Sequence, residues 1–129
     1  LVISDSKVIN YKLVKGSVNG EIVRNFIMDD VLKNEHNIHL LLDNARVHHY
    51  HKLKEDISNT SNKLVYNIPY NPQSNPIEYI NNVVKNKLKK RGIANISNVY
   101  GILGNILKSI KSGVFLNCFN KAFQNLSII

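Results

Sequence analysis

The apolar positions of this chain change their spacing from segment to segment, and each spacing predicts an element. "LVIS" and "KVINYKLV" are short β-branched runs split by the polar "SDSK", the pattern of a β-hairpin. After the glycine-bearing loop "KGSVNG", Ile22, Val23, Phe26, Ile27, Val31 and Leu32 recur mostly three or four residues apart, which predicts a helix over 19–33. "NIHLLLD" is a continuous apolar run closed by an acid, the pattern of a strand buried on both faces. "HKLKEDIS" predicts a short helix and "KLVYNI" another strand. A longer helix is predicted over 76–91, with Asn75 as its cap, Pro76 at its first position and Gly92 closing it. Two further helices are predicted near 97–112 and 115–127, with Gly113 between them. Strand, strand, helix, buried strand, helix, strand, then helices: this order predicts an α/β layered domain with a mixed sheet.

Composition narrows the picture. A chain of 129 residues, 43% hydrophobic, is enough for one domain with one core. No apolar run approaches the roughly 18 residues of a membrane span, and no signal-peptide pattern leads the chain. The single cysteine, Cys118, excludes an internal disulfide framework and a cysteine-built zinc site, and fits a reducing, intracellular setting (the nucleus, in a eukaryote). The formal charge of +8 and pI near 9.7 favour a polyanion partner, nucleic acid before acidic membrane. The chain opens on Leu1, which reads as a piece of a longer polypeptide.

The candidate chemistry lies in two carboxylates. Asp43 ends the run "IHLLLD", at the carboxyl end of a strand, where open α/β sheets collect ligands. The competing reading is a turn, since Asp-Asn is a favoured turn pair. Glu78 follows Pro69, Pro72 and Pro76, the chain's three prolines. With Asn75 it can form a variant capping box, and a carboxylate there meets the positive end of the helix dipole. Helix initiation does not explain why Pro69, Tyr70 and Pro72 stiffen the approach. A rigid loop and a fixed helix start would hold Glu78 in one place, as a metal ligand requires.

The segment "LLLDNARVHH" at 40–49 resembles the second-acid motif of the mariner-type DDE transposases, with His48 five positions after Asp43. "IPYNPQSNPIEY" at 68–79 resembles the third-acid motif of the same family, and the thirty-four residues between the two acids suit that branch. "VKGSVNGEIVRNFI" extends the similarity upstream, so that it covers roughly residues 1–92. The resemblance implies a ribonuclease-H-like mixed sheet with flanking helices and cut-and-join chemistry on DNA phosphodiesters. It implies Mg²⁺ (or Mn²⁺) as cofactor, with Asp43 and Glu78 as catalytic metal ligands. Two departures are Asn71, where the family commonly has serine, and Asn81, where it commonly has tryptophan. A third is larger: the family's first aspartate lies on a first, central strand that this chain lacks. Asp5 falls in the hairpin turn, and Asp29 and Asp30 fall late in a helix, so none replaces it.

Lys85, Lys87, Lys89, Lys90 and Arg91 crowd the end of the 76–91 helix. Cations favour a helix C-terminus in any case; the functional reading is phosphate contact leading DNA toward Glu78. Arg46 and His48, close to Asp43, are placed at the scissile strand. "HHYH" at 48–51 lacks the converging partners zinc needs, with His36 and His39 expected at the opposite end of the strand. Cys118 reads as core packing. Phe115, Phe119 and Phe123, four residues apart, read as a helix stripe packed on the domain or on a second copy in a homodimer. The reading is a partial transposase catalytic domain, motif-bearing over 1–92 and helical over 93–129. Its partners are DNA (transposon ends and target) and no membrane. The alternative is a non-catalytic, transposon-derived remnant that binds DNA.

Overall fold

A computed structural model describes residues 1–92 and 98–124. Strands β1 (Val2–Ile3) and β2 (Val8–Asn10) pair antiparallel, with Val2 opposite Asn10. Ser4 closes the turn between them: its hydroxyl accepts from the backbone N–H of Ser6 and Lys7, and its own N–H donates to the Lys7 carbonyl at 2.9 Å.

Helix α1 (Gly20–Asn25) is capped by Asn19, whose side chain accepts from the Ile22 N–H at 2.9 Å. It does not run on as an α-helix to residue 33. Phe26–Val31 widens into a π turn, with the Leu32 N–H donating to the Ile27 carbonyl at 2.8 Å. The reason lies in a five-residue spacing that the three-and-four reading overlooks: Ile22, Ile27 and Leu32, and again Phe26 and Val31. Residues five apart diverge by about 140° on an α-helix, and the wider turn returns them to one face. Ile27, Val31 and Leu32 are all buried. Gly20 is required by a close approach, since a β-carbon there would sit 2.6 Å from the Tyr50 ring.

Strand β3 (His39–Leu42) pairs in parallel with β4 (Lys63–Tyr66), Leu40 beside Leu64 and Leu42 beside Tyr66. The connection between them contains a 3₁₀ turn, Arg46–His49, and α2 (His51–Ser58). The expectation of a strand buried on both faces is corrected: Leu40 is buried, Leu41 and Leu42 are half-buried, and His39 is exposed. The carbonyls of Ile38 and Leu42 accept from Lys63 and Asn67 on the β4 side. Alternation along a parallel strand then turns the backbone groups of His39 and Leu41 to the opposite edge, where the described residues supply no strand. The fold is therefore α/β, and among the described residues there are two separate two-stranded sheets in place of one continuous mixed sheet.

Helix α3 (Pro76–Arg91) has the predicted bounds, and Gly92 closes it in the left-handed conformation with φ 60°. Helices α4 (Val99–Ser109) and α5 (Ser112–Gln124) follow. The predicted start near 97 and end near 127 lie outside the described residues. Gly113 is not a break between helices but sits in the first turn of α5. The phenylalanine stripe also needs correction. The buried positions of α5 are Phe115, Cys118 and Ala122, while Phe123 is half-exposed. A strict four-residue spacing rotates about 40° per step around a 3.6-residue helix, so the stripe leaves the core within two steps.

Two apolar clusters result. One joins Ile80 and Val84 of α3 to Ile106, Leu107, Phe115 and Cys118, with Ile3 and Val8 of the hairpin packed on it. The other joins Ile27, Val31 and Leu32 to Leu40 of β3 and Leu53 and Ile57 of α2. Between the hairpin and β3 lies a cavity of about 730 Å³, lined by residues of both sheets, α1 and the start of α3.

Candidate active site at the carboxyl end of β3

Asp43 leaves β3 directly into a turn, and the turn reading of "DN" is realised: Oδ1 accepts from the Ala45 N–H at 2.8 Å. The same oxygen lies 2.7 Å from His48 Nδ1. A carboxylate can only accept, so His48 carries its proton on Nδ1 in this pair. The 3₁₀ turn Arg46–His49 folds His48 back, and it is pinned by the Tyr66 hydroxyl, which donates to the His48 carbonyl at 2.7 Å. The His49 ring stacks on Tyr66 at 4.2 Å, and Asn44 donates to the Asn67 carbonyl at 2.6 Å. Burial pushes the Tyr66 hydroxyl's pKa up, so it remains a donor. Asp43 Oδ2 has no hydrogen-bond partner among the described residues.

The proline loop is fastened at several points. The Asn67 N–H donates to the Leu42 carbonyl at 2.7 Å, tying the loop's start to the strand that ends in Asp43. The Asn67 side chain donates to the Asn71 carbonyl and accepts from the Ser74 hydroxyl, both at 2.8 Å. The Asn75 N–H donates to the Pro72 carbonyl at 3.0 Å, while its side chain caps α3 by accepting from Ile77. That arrangement decides the capping-box question. The Asn75 N–H is already used, and the Glu78 carboxylate takes no hydrogen bond among the described residues. Asn75 starts the helix without Glu78.

Asp43, His48, Glu78 and Asn81, from two motifs far apart in the sequence, all line the same large cavity. Asp5 lines it too. Carboxylate oxygens without other partners are the kind of hard donor that Mg²⁺ or Mn²⁺ prefers. Among the described residues, no group of three His, Cys, Asp or Glu side chains converges as a metal cage. Cys118 is remote from this chemistry: burial raises its thiol pKa.

The basic residues of α3 divide by helical position. Lys85 and Lys89 fall within about 20° of Glu78 around the helix, on the face opposite Ile80 and Val84. Lys87 and Arg91 fall on the far side, and Lys90 lies between. Lys85, Lys89, Lys90 and Arg91 are exposed and Lys87 is half-buried. Arg46 is exposed on the turn after Asp43. No helix among the described residues is long and apolar enough to cross a membrane. Sequence reasoning missed Tyr66 and Asn67 as supports of Asp43. Their signal is the parallel register, which sets the end of β4 beside the end of β3.

The family model for DDE superfamily endonucleases matches residues 3–99. No curated protein and no solved structure matches the chain.

Proposed function

Since the chain belongs to the DDE superfamily endonucleases, whose members act on DNA and generally use divalent metals, we propose that it is the mariner-type catalytic region of a transposase, with Asp43 and Glu78 as its second and third acids. The observation that carries this reading is that the two carboxylates, from separate motifs, line one cavity, and that among the described residues neither Asp43 Oδ2 nor the Glu78 carboxylate has a hydrogen-bond partner.

Divalent ions held there would polarise the attacking and leaving oxygens of a phosphodiester. Asp43 would present Oδ2, because His48 and the Ala45 N–H already hold Oδ1. Glu78 would reach in from the first turn of α3, fixed by the Asn75 cap and the loop hydrogen bonds before it. Arg46 and the basic residues of α3 would neutralise the phosphates of the strand being cut.

The reading includes a strand between the two sheets. The open edge of β3, the hairpin and the cavity separating them suit an extended segment that would join both into one ribonuclease-H-like sheet and bring the first acid. In a longer polypeptide carrying that strand, Mg²⁺-dependent nicking of supercoiled plasmid is expected, and Asp43→Asn or Glu78→Gln abolishes it. Nicking that survives Glu78→Gln would overturn the assignment. The alternative is a non-catalytic remnant, favoured by the lack, among the described residues, of any converging group of three His, Cys, Asp or Glu side chains. It predicts salt-dependent DNA binding with no nicking in any such polypeptide.

A further inference from the structure

Tyr70 occupies a position that folding alone does not explain. The Asn71 N–H donates to the Ile68 carbonyl at 3.2 Å, closing a tight turn with Pro69 second and Tyr70 third. Tyr70 has φ 57°, in the left-handed region. Proline second and positive φ third is the type II pattern, whose third position suits glycine or asparagine, and a β-carbon is strained there. The ring gives nothing back through packing, since the residue is 103% exposed. Yet the turn beneath it is held firmly. The Asn67 side-chain amide and the Ser74 backbone N–H both donate to the Asn71 carbonyl, and the Asn67 N–H is tied to the Leu42 carbonyl. An aromatic ring thus stands in solvent on a fixed support. The support leaves the sheet at the edge where Asp43 lies, and the same loop delivers Glu78.

We propose that Tyr70 is a stacking platform for a nucleobase of DNA bound at the Asp43–Glu78 edge, and that the base it takes is unpaired. The inference rests on the DNA-cutting reading of the site. A lone exposed ring offers a π face and no hydrogen-bonding pocket, so it suits any base and reads no sequence. A base inside a duplex has both faces covered by its neighbours, whereas a frayed, overhanging or extruded base offers one. Pro69 and the turn hydrogen bonds lower the ordering cost of stacking, because little backbone freedom remains to be lost.

The test uses the 129-residue chain and two DNA probes: a duplex with a single-stranded overhang carrying 2-aminopurine, and the matching blunt duplex. Wild type and Tyr70→Phe should quench the probe and prefer the overhang. Tyr70→Gly should lose the quenching and bind the overhang about tenfold more weakly, with blunt-duplex affinity unchanged. Glycine suits φ 57°, so this variant should melt at or above the wild-type temperature, which separates lost stacking from lost folding. Tyr70→Gly binding and quenching like wild type would overturn the proposal, even where Asp43→Asn abolishes nicking and the cutting reading stands. Loss of overhang preference in Tyr70→Gly alone, with Asp43→Asn and Glu78→Gln retaining it, would support stacking whether or not the site cuts.

Discussion

His48 holds the Asp43 carboxylate through Oδ1, which lies 2.7 Å from Nδ1 and also accepts from the Ala45 N–H, and the same Nδ1 lies 3.3 Å from the Asp43 carbonyl oxygen. The carboxylate is thereby oriented, with Oδ2 left for another partner. A histidine five residues after an acid becomes, through one 3₁₀ turn, a positioning residue for that acid.

His48→Ala should weaken Mn²⁺ binding by about 10- to 100-fold, the usual cost of removing a group that orients a ligand. His48→Asn should recover much of it, because its amide nitrogen can donate from near the Nδ1 position. Titration followed by Mn²⁺ electron paramagnetic resonance reads both. Equal loss in the two variants would argue against orientation.

Glu78 and Asn75 should separate in melting experiments. Glu78→Gln should leave the metal-free stability within about 0.5 kcal/mol, since the carboxylate caps nothing. Asn75→Ala should cost about 1 kcal/mol, since the buried side chain caps α3 at Ile77. The reverse order would restore the capping-box reading.

Lys85→Ala with Lys89→Ala removes the same charge as Lys87→Ala with Arg91→Ala, but from the Glu78 stripe of α3. The first pair should flatten the salt dependence of duplex binding by about 0.9 for each phosphate no longer neutralised, and the second should change it less. Equal effects would mean that net charge alone governs binding.

Arg24 Nε lies 2.6 Å from Asp56 Oδ2, joining α1 to α2, with both side chains about a quarter exposed. Either single alanine substitution should destabilise the fold by about 1–2 kcal/mol, and the double variant by less than the sum. Urea melts of the four proteins give the coupling directly.

Hydrogen exchange should differ within β3. The Leu40 and Leu42 amides, on the side paired with β4, should be better protected than those of His39 and Leu41, which face the open edge. Uniform strong protection along 39–42 would show that the edge is covered.

Helix α3 is legible in the sequence because Asn75, Pro76 and Gly92 act locally: each needs only its neighbours to start or stop a helix. The hairpin is legible for the same reason, through Ser4. The π turn is not, because the five-residue spacing at Ile22, Ile27 and Leu32 overlaps the three-and-four pattern at Val23, Phe26 and Ile27. The site is legible in its two acids and not in their surroundings. Whether Glu78 caps its own helix depends on the Asn75 N–H, and only the folded loop shows that Pro72 has taken it. Tyr66 supports His48 from another strand, so no local pattern announces it.

The edge of β3 on which the described residues place no strand gives protein concentration a role. Two chains meeting there could each satisfy the other's His39 and Leu41 backbone groups, as exposed strand edges do. Such a loss of monomer is second order: doubling the concentration should raise the initial rate of loss about fourfold and so halve the half-life, while dilution should preserve the chain. Shelf life would then be governed by how often two edges collide, and a short β-strand peptide that occupies the edge would act as a preservative.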